Sequence, residues 1–225
     1  MTPPGPSTAR IAALWAFFLL IWAGCLFGSA GRLDLPFFWA YLGLLIAMLV
    51  IAVRIMDREL LRERFAPAPG GHDRHLRWIA LPILASELVI AGLDVGRFGW
   101  SRPLPPGLRI AALGVVAASL AFAIWALRVN RFFSPVVRIQ SERGHHLVTG
   151  GPYRFVRHPG YASAVLGWPA GAIALGSWWA LLPLLVLAVL LVRRTALEDR
   201  YLREQLPGYA EYAARVRYRI VPGVW

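Results

Sequence analysis

The chain has 225 residues, of which 58% are hydrophobic and only 16% charged, and a formal net charge of +12; its mean hydropathy is +0.55. That balance excludes an ordinary soluble domain and points to an integral membrane protein. All 24 positive side chains are arginines, and basic residues flanking membrane spans account for the charge through topology and anionic headgroups, so no nucleic-acid partner is expected.

Residues 1–9, with three prolines, read as a disordered lead. Uncharged runs over 11–31, 35–53 and 110–127 each approach the roughly 20 residues that cross a bilayer. The first of them reads as a retained span and not as a cleaved signal, because it is long and further spans follow. A fourth run, 78–96, is interrupted by Glu87 and Asp94. The longest, 158–192, covers two short spans of roughly 17 residues each, with Gly171, Gly176 and Ser177 as places to turn. The expectation is an all-α, polytopic membrane protein of about six transmembrane helices, the last two forming a tight hairpin.

Between the second and third spans, Arg54, Arg58 and Arg62 have the spacing of a charged helix end, which breaks at Ala66-Pro67-Ala68-Pro69-Gly70-Gly71. The segment reads as a solvated connector. Ser101-Arg102-Pro103-Leu104-Pro105-Pro106-Gly107 reads as a rigid outer turn. Beyond the hairpin, the last span continues as a polar helix to Leu206-Pro207-Gly208. A short helix then carries Tyr209, Tyr212, Val216 and Ile220 up to Pro222-Gly223, lying on the membrane or covering the loop before the hairpin.

Charge placement orients this topology. One side holds Arg10, the arginines of 54–77 and 128–157, and the tail from Arg193; the other holds only Arg32, Arg97, Arg102 and Arg109. The positive-inside bias therefore puts both termini in the cytoplasm of a multi-pass cell-membrane protein. The chain reads as one membrane domain, 1–225, with a four-helix part over 1–128 and a second part over 129–225.

The polar, aromatic segment from about 130 to 159 has no helical period, and loops of that length are usually functional or disordered. Its aromatic and apolar content argues for function. Glu87 and Asp94, seven apart, share a helix face. Asp94 reads as snorkelling to the interface, and Glu87 as a structural hydrogen-bonding residue between helices. Arg194 and Glu198, four apart, have the spacing of a surface ion pair worth a few tenths of a kcal/mol, yet they emerge at the membrane face where the long loop lies. There an arginine suits a carboxylate or phosphate, and a glutamate suits an ammonium or sulfonium.

His145, His146 and His158 show no ligand spacing for a metal, and the single Cys25 offers neither a disulfide framework nor a thiolate zinc site. Arg157-His158-Pro159 reads as a turn into a helix whose first backbone N–H groups face anionic ligand groups. Tyr153 and Tyr161 suit stacking or a cation, or simple interfacial anchoring. No phosphate-binding glycine loop and no serine or cysteine nucleophile arrangement is present.

These motifs, in this order, resemble the isoprenylcysteine carboxyl methyltransferase family, with parts shared by related phospholipid methyltransferases. The order runs from Gln140 through His145-His146-Leu147-Val148-Thr149, Gly151-Pro152-Tyr153 and Arg157-His158-Pro159-Gly160-Tyr161. A two-pass hairpin, Arg194-x-x-x-Glu198, Tyr209-x-x-Tyr212 and Arg219-x-x-Pro222 follow. The resemblance covers roughly the last 95 residues, makes 129–225 the methyltransferase-like part, and implies a cytoplasmic S-adenosyl-L-methionine site beneath the membrane surface.

The cofactor contacts it implies fall on Gln140, His145, His146, Leu147, Val148, Tyr153, His158, Pro159, Gly160, Tyr161 and Glu198, with Arg194 facing the substrate; Arg194 and Glu198 are the implied catalytic pair. The stretch between Gln140 and His145 is shorter than in the eukaryotic enzymes. The expected acceptor is a lipid or prenyl-like molecule reached among membrane lipids, methylated by in-line displacement without a covalent nucleophile. Two alternatives are a membrane reductase of sterol-reductase-like fold using NADPH, with Arg154, Arg157 and Arg194 as phosphate contacts, and a non-catalytic scaffold or transporter.

Overall fold

The computed structural model describes residues 8–65, 67, 71–73 and 75–225. The lead at 1–7 lies outside the described residues, as do Ala66 and 68–70 of the proline-glycine break. Eight α-helices occur among the described residues: α1 (Thr8–Ala23), α2 (Pro36–Ile55), α3 (Arg58–Phe65), α4 (Leu76–Gly92), α5 (Pro106–Val129), α6 (Pro159–Leu175), α7 (Leu181–Gln205) and α8 (Tyr209–Arg215). Among the described residues, backbone pairing of the β type is confined to one bridge between His72 and Val137. The all-helical expectation is met.

Among the described residues, three stretches are long and apolar enough to cross a membrane: Pro36–Ile55, Trp78–Phe98 and Pro106–Val129. Ala13–Gly28 is apolar but shorter. Prolines at the first turn of α2, α5 and α6 start those helices where a missing N–H costs nothing. The α6–α7 turn falls at Gly176, whose φ of 95° is the left-handed cap, while the Ser177 N–H donates to Ala172 O at 3.1 Å. Gly171 remains inside α6. Arg109, near the start of α5, donates to the carbonyls of Ala174 and Leu175 at 3.0 and 2.8 Å, satisfying the end of α6.

α1 and α4 each end in a π-helical turn, Gly24–Gly28 and Leu93–Phe98. Just past the first turn the chain passes the second so closely that a Cβ on Gly96 would stand 2.5 Å from Ala30 Cα, so glycine is required there. The main core, including Leu26, Phe38, Leu88, Leu175 and Leu184, joins the elements of this helical body.

Three expectations change. Asp94 does not snorkel: it is fully buried and accepts from Ser101 N–H at 2.7 Å, Ser101 Oγ at 2.6 Å and Ser177 Oγ at 2.5 Å, tying the outer turn to the hairpin. Arg54 and Arg62 do not share one helix, because α2 stops at Ile55 and Asp57 caps the separate α3 by accepting from Leu60 N–H at 2.7 Å. The last short helix ends at Arg215, before Ile220, which packs with Val156 and Ala162.

Candidate active site

The segment between α5 and α6 is irregular but densely tied. Glu63 of α3 accepts from Ser134 Oγ at 2.6 Å and takes both prongs of Arg138, at 3.0 and 2.6 Å. Gln140 is fully buried: its side-chain amide donates to Phe132 O at 2.7 Å, and its carbonyl oxygen accepts from Arg143 at 2.5 Å. The Gln140 N–H donates to His145 Nδ1 at 3.2 Å while the His145 ring stacks on Phe132. Burial, then the charges of His146, Arg138 and Arg143, push His145 down to about 4, so its ring is neutral and the Nδ1 lone pair is available. Asn130 donates to Tyr153 Oη at 2.9 Å, and Tyr212 Oη to the Tyr153 carbonyl at 2.7 Å.

A second layer centres on Asp199, which is 1% exposed. Arg157 approaches it with Nε at 2.7 Å; Tyr209 Oη donates at 2.9 Å, Arg219 at 3.1 Å and Arg203 at 3.2 Å. Burial alone would raise the Asp199 carboxyl, but the His158 hydrogen bond and the Arg157 charge outweigh it and hold the group well below the usual carboxylate range. The remaining Arg157 nitrogen donates to the carbonyls of Ala213, Val216 and Arg217. The N–H groups of Arg157 and His158 go to Tyr218 and Arg219 carbonyls, both at 2.9 Å. These donors, expected to face an anionic ligand, instead pin the start of α6 to the C-terminal segment.

Arg194 and Glu198 do not pair directly. Tyr161 stands between them, accepting from Arg194 Nε at 2.6 Å and donating to Glu198 Oε2 at 2.5 Å, and Arg194 also donates to Pro135 O at 2.7 Å. His158 Nδ1 lies 3.9 Å from Glu198 Oε1, and its ring stacks on Tyr161.

These elements enclose a cavity of ≈ 350 Å³. His145, His146, Leu147, Val148, Tyr153, His158, Pro159, Gly160, Tyr161, Arg194 and Glu198 all line it; Gln140 does not, and sits behind the wall as a brace of the loop. A Cβ on Gly160 would run into the tip of the Phe133 ring, so a larger residue there must displace that ring. Tyr209 and Tyr212 add a further wall. Sequence reasoning missed Asp199, Glu63 and Asn130. Unpartnered arginines at 138, 157 and 219 were the available signal that buried carboxylates must exist, but their pairing is set by the fold. The cavity combines the Glu198 carboxylate and the guanidinium groups of Arg64, Arg138, Arg157 and Arg194 with several aromatic faces and apolar positions such as Leu202 and Leu206. The Glu198 carboxylate and the aromatic faces suit a cation with a planar apolar group attached, and the arginines suit a carboxylate or phosphate.

Residues 108–207 match the family model for phospholipid methyltransferase. The chain is 36% identical over 118 residues to a probable protein-S-isoprenylcysteine O-methyltransferase of Oryza sativa subsp. indica, and equally to that of subsp. japonica, covering 49% of this chain and 56% of the relative. It is 33% identical over 129 residues to the cobalt-zinc-cadmium resistance protein CzcN of Cupriavidus metallidurans, covering 56% of each. The chain thus matches about half the length of these relatives. Residues 108–207 therefore carry the phospholipid methyltransferase match, and the rice relatives bear out the isoprenylcysteine carboxyl methyltransferase-like resemblance read from the motifs.

Proposed function

We propose that the protein is a membrane methyltransferase that uses S-adenosyl-L-methionine to methylate a lipophilic acceptor, such as a prenylcysteine-like carboxylate or a lipid head group. The observation that carries this reading is the bridge Arg194–Tyr161–Glu198 in the same cavity as His145 to Val148 and Tyr153. The cofactor, when bound, supplies a methyl group on a sulfonium for in-line displacement. The donor set fits that group: Glu198 offers a carboxylate to its cationic end, and Leu147, Val148, Leu202 and the tyrosine rings offer an apolar, stacking surface to its base.

Methyl transfer needs alignment and exclusion of water more than a nucleophilic side chain. Arg194, held by Tyr161 and Pro135, orients an acceptor carboxylate through its guanidinium. An amine acceptor must lose a proton, and Glu198 is within reach to take it through the Tyr161 hydroxyl. The reductase alternative has less support, because Arg157 is engaged by Asp199 and three carbonyls, and Arg154 is exposed and not among the cavity-lining residues.

The proposed topology is six spans, formed by α1, α2, α4, α5 and the α6–α7 hairpin, with both termini and the cavity on the arginine-rich, cytoplasmic side. In this reading 1–128 is the membrane scaffold and 129–225 the catalytic part. Calorimetric titration of the purified protein tests the reading. S-adenosyl-L-methionine should bind and NADPH should not; the reverse result would sink it.

A further inference from the structure

A second cavity of ≈ 260 Å³ lies deeper in the helical body and shares Gly160, Ala164 and Trp168 with the first. Its wall along α6 consists of Gly160, Ser163, Ala164, Gly167 and Trp168, the first four spaced to fall on one helix face. The other walls are largely apolar, with Trp22 and Leu84 among them. Glu87 of α4 also lines it. Glu87 is 2% exposed, and its Oε1 has no hydrogen-bond partner. The level of Glu87 on α6 is fixed by Gly171, where a Cβ would stand 3.5 Å from Glu87 Oε1 and 3.1 Å from Tyr41 Oη. Gly160 to Gly171 is eleven residues of helix, about 16 Å.

A structural role for Glu87 predicts a satisfied carboxyl bonded to a neighbouring helix. An unmatched buried oxygen instead costs about 1–3 kcal/mol, and the side chain that carries it lines a cavity that shares three α6 residues with the candidate active site. A pure hydrocarbon chain filling the space would leave that oxygen unmatched. We propose that the second cavity seats the far end of the lipophilic acceptor, and that this end carries an O–H or N–H donor, a hydroxyl or an amine, received by Glu87. The reacting group then lies at Arg194 and Glu198, roughly 16 Å away along α6. The inference rests on the methyltransferase reading of the first cavity and specifies the class of its acceptor as an amphiphile polar at both ends.

The test uses the intact full-length protein and three probes, dodecanoic, 12-hydroxydodecanoic and 12-aminododecanoic acid, whose retention is measured by native mass spectrometry. Wild type should retain at least one of the terminally substituted acids about tenfold better than the plain acid, the worth of one matched buried hydrogen bond. Glu87→Leu should abolish the preference and Glu87→Gln should keep part of it, with S-adenosyl-L-methionine binding equal in all three proteins. Absence of any preference in wild type, which requires no variant to fold, overturns the proposal; so does a preference that survives Glu87→Leu. A wild-type preference without S-adenosyl-L-methionine binding would sink the methyltransferase reading and leave the Glu87 site standing.

Discussion

Arg157 and Asp199, 42 residues apart in the chain, form a buried ion pair with Nε 2.7 Å from Oδ1, and this pair joins the loop before α6 to the C-terminal part of α7. Tyr209, Arg219 and Arg203 converge on the same carboxylate. Its neighbour Glu198 faces the cavity, so adjacent residues on one helix divide the work: Asp199 holds the site together and Glu198 presents its charge to the site.

Replacing Asp199 by Asn leaves Arg157 buried without a counter-charge, which should cost about 3–5 kcal/mol. Thermal unfolding in detergent should show a clear drop, accompanied by loss of ligand binding. The wild-type carboxyl is held low in the folded protein, so its contribution is fully present above the unfolded value of about 3.9 and is lost as pH falls below it. Asp199→Asn should lack that acid dependence. A variant as stable as wild type would remove Asp199 from its central place.

Glu198→Ala should lose S-adenosyl-L-methionine binding by at least about tenfold, the effect of deleting one charge-assisted contact. Arg194→Ala should leave most of that binding intact while methyl transfer to an extracted lipid mixture falls by about a hundredfold or more. Equal loss of both activities in Arg194→Ala would assign it to the cofactor wall.

His145 should titrate at about 4 by NMR and stay neutral from pH 5.5 to 7.5. An unfolded chain takes up this proton near 6.5, before the folded protein does. Acidification through that interval should therefore weaken folding, and His145→Phe should reduce that sensitivity. A midpoint near 6.5 in the folded protein would contradict the buried, Phe132-stacked ring.

Gly160→Val places a side chain against Phe133 and at the junction of the two cavities. Overpacking of this kind costs about 1–3 kcal/mol, and ligand binding should fall further than stability does. Glu63→Ala removes the counter-charge that Arg138 and Ser134 share, so limited proteolysis should cut the 130–150 segment faster, with the transmembrane helices unaffected.

The helical spans, the hairpin turn at Gly176 and the order of cavity-lining motifs were legible in the chain, because hydropathy runs, proline starts and glycine caps act over a few neighbouring residues. His145 to Val148, Tyr153, His158 to Tyr161, Arg194 and Glu198 could be picked out in this way, and the fold gathers them around one space. Tertiary structure alone decided how their charges are matched. Arg157 looked available to a ligand and is tied to Asp199; Arg194 and Glu198 looked like an i,i+4 pair and meet through Tyr161; Asp94 looked interfacial and is sealed by Ser101 and Ser177. A buried charge takes whichever partner the packing brings within about 3 Å, and a one-dimensional spacing does not encode that choice.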